Sequence, residues 1–188
     1  MPMPPLPDLE SLSLAEIARL AQDRRLPPVE SWNPARCGDS EMRITRDGSW
    51  YHRGEPIARP AMVRLFSTIL RREADGGYVL VTPVEKLTIA VDDAPFVAVE
   101  MKAEGTGRQS RLAFRLNTGD LVVANGDHPI RFVATANGPH PYLLVRYGLE
   151  ALLARPVYYE LAERILADQD GPSGIWSDRA FFAVGDAE

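Results

Sequence analysis

A single cysteine in 188 residues, Cys37, leaves no material for a disulfide framework or a thiolate metal cluster. That scarcity points to a reducing compartment. The three histidines, His52, His128 and His140, lack the helical spacing of paired metal ligands, so no metal site is expected. No run approaches the ~18 apolar residues of a membrane span. The opening MPMPPLPDLE has no basic-then-apolar signal layout, and the cytosol is the expected address. Basic residues are outnumbered, 21 against 26 acidic, for a net charge of −5. A chain without a basic excess is not expected to adhere to duplex nucleic acid or to an anionic membrane.

Reaction motifs are missing as well. The sequence holds no G-x-S-x-G, no H-E-x-x-H and no G-x-x-x-x-G-K-[ST]. Gly105-Thr106-Gly107 runs into Arg108 without a third glycine and reads as a turn. Cys37, Asp39 and His52 could be drawn as nucleophile, orienter and base, but a lone cysteine is more simply a small hydrophobe. Asp92-Asp93 reads as a turn, because adjacent strand residues face opposite ways and their carboxylates would not converge. No catalytic residue and no cofactor are therefore expected.

What is present is a repeat. Ala58–Leu70 reads ARPAMVRLFSTIL and Ala154–Leu166 reads ARPVYYELAERIL, aligned without a gap. Proline costs nothing at the first helical position, and the apolar residues that follow fall three and four apart. The spacing predicts two helices, with stripes of Met62, Leu65, Phe66, Ile69, Leu70 and of Tyr158, Leu161, Ala162, Ile165, Leu166. Arg71 and Arg72 then suit the C-terminal dipole of the first helix. Such a repeat implies a tandem duplication.

Around these helices the pattern is strand-like. Residues 1–12 are proline-rich and read as extended or disordered, and Ser13-Leu14-Ala15-Glu16 is a capping box opening a short surface helix. Asp47-Gly48 between Met42–Thr45 and Ser49–His52 marks a hairpin. Further strands are expected at 78–81, 87–91, 97–101, 111–116, 121–124, 130–134 and 142–147, with a closing strand or hairpin over 175–184. Strands in runs with one helix per run indicate α+β, with mostly antiparallel sheets. The expected organisation is an N-terminal segment with a short helix over 1–36, one α+β unit over 37–101 and a related unit over 102–188.

Four blocks together resemble a known bacterial family. They are CGDSEMRITRDGSWYHRGEPIARPAMVRLFSTIL (37–70), TPVEKLTIAVDDAPFVAVEM (82–101), PYLLVRYGLEALLARPVYYEL (141–161) and GIWSDRAFFAVG (174–185). The chain is similar in these blocks to domain-of-unknown-function family 1285. The resemblance implies a duplicated domain whose second half is pleckstrin-homology-like. It also implies a ligand site between the halves, suited to a nucleotide-like ligand in signal transduction. It transfers no catalytic residue.

For such a site the candidate residues are Arg43, Arg59, Arg64, Glu85, Lys86, Arg115, Arg146, Arg155 and Trp176. Arg59 and Arg155 stand before the helix-opening prolines, where a cation is the wrong sign unless an anion joins it. Glu55 and Glu150 are the local partners, and a ligand phosphate is the alternative. Arg43, Arg64, Lys86, Arg115 and Arg146 add positive charge, and Glu85-Lys86 could read a base edge and a phosphate. Trp50 and Trp176 could stack a base. Micromolar binding needs about −8 kcal/mol and one helix terminus offers at most ~2, so several arginines and an apolar wall must combine. The expected partner is a small nucleotide-like ligand, or alternatively a protein that docks on the second sheet.

Overall fold

The capping box forms as the sequence requires. In the computed structural model, which describes residues 8–168 and 171–185, the Ser13 hydroxyl accepts the Glu16 amide at 3.2 Å. The Ser13 amide in turn donates to the Glu16 carboxylate at 2.8 Å. Helix α1 (Leu14–Asp23) follows and buries Leu14 and Ile17. Within the expected extended stretch, Leu9–Ser11 forms a 3-10 turn that buries Leu9; the expectation for residues 1–7 lies outside the described residues.

The first sheet holds β1 (Cys37–Ile44), β2 (Trp50–His52), β3 (Glu55–Pro56), β4 (Leu70–Arg72), β5 (Tyr78–Val81) and β6 (Lys86–Val91), in the order β3-β2-β1-β6-β5-β4. The second holds β7 (Phe96–Glu104), β8 (Arg111–Leu116), β9 (Leu121–Val123), β10 (Ile130–Val133), β11 (His140–Arg146) and β12 (Leu149–Leu153), in the order β10-β11-β12-β7-β8-β9. Each sheet is two three-stranded meanders joined by one parallel pair, β1 with β6 and β7 with β12, all other pairs being antiparallel. A small hairpin, β13 (Gly174–Ser177) and β14 (Ala180–Ala183), closes the chain. The protein is thus α+β, two related and mostly antiparallel units in tandem.

The duplication is real, but the sequence repeat does not mark it. Helix α2 (Pro60–Thr68) joins the two meanders of the first sheet, whereas α3 (Arg155–Ala167) follows the last strand of the second. The matched segments therefore occupy unlike places and do not enclose a crevice between them. What they share is local: a strand end, then a proline that opens a helix.

Helix α2 also departs from its predicted length and stripe. The Ser67 and Thr68 hydroxyls bond back to the carbonyls of Arg64 and Leu65, and the helix stops at Thr68. Leu70 then pairs with Leu80 in β4, so Arg71 and Arg72 are strand residues rather than dipole partners. The inward face is Val63, Phe66 and Ser67, while Leu65 is 62% exposed. In α3, Val157 and Leu161 are buried and Leu166 is exposed. A helical period alone does not reveal which residues of this nine-residue helix face the core.

The chain crosses from sheet to sheet over residues 92–95. Val97, Val99 and Met101 therefore begin the second sheet, not the end of a 37–101 unit. Alternation identifies a strand but not the sheet it joins. One core runs through both sheets, with Ile44, Trp50, Leu70 and Ile89 continuous with Phe96, Phe114, Leu143 and Leu149. At its rim, Asn117 ties the units together: its carbonyl accepts the Val97 amide at 3.0 Å and its amide donates to the Gly48 carbonyl at 3.1 Å.

Gly48 has φ +86°, and a Cβ there would lie 2.6 Å from the Asn117 side chain and 3.0 Å from Val97. Gly48→Ala is expected to cost about 2 kcal/mol, since left-handed backbone alone costs about 1–2. The melting temperature should fall by roughly 4–8 °C. A fall below about 1 °C would show that the turn yields freely.

Candidate functional site

Two cavities flank the β8–β9 turn, Asn117–Asp120, where the units meet. The first, ≈410 Å³, is bounded by the β1–β2 hairpin at Asp47–Tyr51, by Pro60, Val63 and Arg64 of α2, and by Asn117 and Thr118. Two buried donors on its wall, Trp50 Nε1 and Arg64 Nε, have no hydrogen-bond partner among the described residues. Trp50 stacks on Phe66 of α2, rings 6.4 Å apart and 19° from parallel, which holds the indole at the seam. Buried polar groups of this kind cost about 1–3 kcal/mol each when left unsatisfied.

The second cavity, ≈360 Å³, lies beneath the N-terminal segment and carries Arg24, Arg111, Arg146 and His128 on its walls together with Asp120, Asp127 and Asp178. Its roof is a strap across both units. Helix α1 packs on Ala113 and Val123 of the second sheet, and Val29 packs on Val79 and Val81 of the first. Arg24 leaves the end of α1 and pairs with the buried carboxylate of Asp120, which also accepts the Thr118 hydroxyl at 2.9 Å.

Arg146, on the wall of the second cavity, reaches the helix α2 that bounds the first. It donates to the Ser67 carbonyl of α2 at 2.7 Å and lies over the Phe96 ring at 5.2 Å. Burial lowers its pKa to about 10, so it remains a cation at neutral pH, with no ion-pair partner among the described residues. Arg24 is also held below the ordinary arginine value, first by burial and then by the charges of Arg146 and Arg64. Three guanidiniums thus converge at the seam, and of the aspartates that line the two cavities, Asp47, Asp120, Asp127 and Asp178, only Asp120 pairs with one of them. That arrangement favours an anion with several acceptor oxygens.

The other candidates lie elsewhere. Arg43 forms a bidentate pair with Asp92, at 2.7 and 2.9 Å. Glu85 faces Arg36 at 3.7 Å, Lys86 faces Glu73 at 3.6 Å, and Arg115 faces Glu100 at 3.2 Å. Trp176 packs in the β13–β14 hairpin against Phe181, with Arg108 over its ring. Arg59 is the exposed N-cap of α2 and makes no capping bond. Arg155 is not an N-cap: the helix starts at Arg155 itself, with Ala154 as the cap. Its expected partner Glu150 is engaged across the sheet by Arg131, at 2.6 Å. Of the nine, the structure brings only Arg64 and Arg146 together.

Asp92 and Asp93 sit in the turn between the sheets. The first holds Arg43, and the second accepts the Tyr142 hydroxyl at 2.7 Å. Cys37 and His52 are separated along the sheet, since His52 registers with Met42, five residues and about 16 Å of extended strand away. Among the described residues no group of His, Cys, Asp or Glu is placed to hold a metal ion. Arg24 was missed in the sequence, because nothing in the capping box that starts α1 tells where the helix docks. Trp50 is expected from the sequence as a base-stacking wall, but its Nε1 donor at the seam, unpartnered among the described residues, shows only in the structure.

Two six-stranded units, one core and an arginine-lined seam define a duplicated α+β protein. The chain belongs to the DUF1285 family, matching the model of its N-terminal domain over residues 27–94 and of its C-terminal domain over 95–184. A solved DUF1285 family protein from Silicibacter pomeroyi is 46% identical, with a TM-score of 0.79, over 93% of this chain and 96% of that one. Another from Shewanella baltica is 27% identical, with a TM-score of 0.52, over 65% of this chain and 91% of that one. No curated protein matches the chain. No helix among the described residues is long and apolar enough to cross a membrane.

Proposed function

We propose that the protein is a non-enzymatic, cytosolic ligand-sensing module that binds a small anionic, nucleotide-like ligand at the seam of its units, in a signalling role. The observation that carries this reading is the convergence of Arg24, Arg64 and Arg146 at the seam, where only Arg24 is paired with a carboxylate, Asp120. Charge-assisted hydrogen bonds contribute roughly 1.5–3 kcal/mol each. Two or three of them, with Trp50 as a wall and donor, approach the about −8 kcal/mol of a micromolar complex. The position of α3, after the last strand of the second sheet, fits the pleckstrin-homology-like arrangement that the resemblance implies.

A thermal-shift panel of nucleotides tests it. A ligand at a hundred times its Kd adds about 2.7 kcal/mol to the folded state, and the melting temperature should rise by roughly 5–10 °C. Arg64→Ala should remove most of that rise. No rise with any nucleotide would defeat the proposal, and turnover of a nucleotide would replace the sensor with an enzyme. A protein-docking role is the second reading, favoured by an open strand edge in the second sheet.

A further inference from the structure

Strand β7 loses its neighbour halfway along. β12 pairs with it only at Phe96–Ala98, then Ala154 donates to the Ala98 carbonyl at 2.9 Å and the chain turns away into α3. Residues 99–104 keep β8 on one side and, among the described residues, have no strand on the other. The register shift between Ala98 and Glu100 places a bulge where the neighbour departs.

The pairing also fixes which backbone groups face the gap. The Leu112 amide donates to Ser177 Oγ and its carbonyl accepts Ala124, so Leu112 exchanges no bonds with Ala103 opposite. In an antiparallel ladder bonded and non-bonded pairs alternate, so Met101 and Ala103 direct their N–H and C=O to the open edge. Between that edge and α3 lies a groove of ≈530 Å³, walled by Val99–Ala103 on one side and by Pro156, Val157 and Glu160 on the other.

We propose that this groove docks an extended, lysine- or arginine-bearing peptide segment of a partner protein, added to β7 as a strand. Main-chain bonds to a free edge supply affinity, and alternate side chains supply specificity. The charge points to a basic segment. Four carboxylates line the groove, Asp8, Glu10, Glu100 and Glu160, against Lys102 and Arg164. Glu100 is offset from behind by Arg115, and the Lys102 ammonium is turned onto the carbonyls of Glu10 and Leu12. Asp8, Glu10 and Glu160 have no ion-pair partner among the described residues. The chain's own first residues are a poor occupant: Pro2, Pro4, Pro5 and Pro7 interrupt both alternations of an added strand, and proline has no N–H to pair. The groove stands apart from the arginine seam and does not depend on the ligand reading.

The test uses the full chain and two labelled eight-residue probes, alternating Lys/Thr and alternating Glu/Thr, followed by fluorescence anisotropy at low salt. The Lys/Thr peptide should bind, and the Glu/Thr peptide at least tenfold more weakly. Glu160→Lys, on the exposed face of α3, should weaken the Lys/Thr peptide at least fivefold without moving the melting temperature. Hydrogen exchange at Met101 and Ala103 should slow on binding. Absence of binding, or binding that leaves those two amides unprotected, overturns the proposal. So does competition by an MPMPPLP peptide, or self-association that protects the same amides, since the occupant would then be the chain itself.

Discussion

Replacing Arg146 with methionine is expected to remove the response to anions while leaving the free protein as stable as before. A half-buried arginine would ordinarily be missed on removal, because its departure strands a carboxylate. Here no carboxylate is paired with it. Burial lowers its pKa from the ordinary arginine value to about 10. That depression corresponds to roughly 3 kcal/mol of lost solvation. Against it stand one hydrogen bond to the Ser67 carbonyl, about 1.5 kcal/mol, and the Phe96 face, about 1 kcal/mol. The opposing contributions nearly cancel, so the melting temperature of Arg146→Met should lie within roughly 3 °C of the parent or above it. Ligand affinity should fall at least about tenfold, the loss of one charge-assisted bond. Calorimetric titration with a nucleotide found in the panel, beside a melting curve, reads both. Strong destabilisation would mean that Arg146 is a structural cation, and the seam would lose its best ligand-binding residue.

Arg71→Met should do the opposite. Arg71 is only 8% exposed, and its guanidinium donates to the carbonyls of Val29 and Trp32, at 2.8 and 2.6 Å, while pairing with Glu73 at 2.7 Å. Methionine fills the volume but strands two carbonyls, each worth about 1–3 kcal/mol. A loss of about 3–4 kcal/mol is expected, or roughly 6–16 °C in melting temperature. The loss should be directional, freeing the connector that carries Arg24 toward the second unit. Limited proteolysis should cut between residues 24 and 36 well below the melting temperature. Equal resistance of variant and parent would show that Val29 and its apolar neighbours hold the strap without help.

The same residue shows where sequence reading fell short. Arg71 follows an apolar helical run, and a cation there is what a helix C-terminus favours. Only the pairing of Leu70 with Leu80 turns the chain into a strand and buries the guanidinium under the connector. The candidate site was half legible for a similar reason. Arg64 and Arg146 were picked as charges among apolar residues, but so were Arg43 and Arg115, which carboxylates one strand away neutralise. Their sequences differ in nothing that foretells this. Arg24 comes from a segment whose docking face depends on both sheets.

By itself the sequence determined whatever rests on neighbours along the chain. The Ser13–Glu16 cap, the Asp47-Gly48 turn, the proline-led helix starts and most strands depend on residues one to four apart. Composition likewise set the net charge and ruled out a disulfide scaffold. Only the tertiary structure decided that the duplicated element is a six-stranded sheet rather than a helix, that β7 belongs to the second unit, and which arginines lack a carboxylate. Those outcomes depend on partners tens of residues away. A cation's role is set by the charge and water left around it after folding, and no local pattern records either.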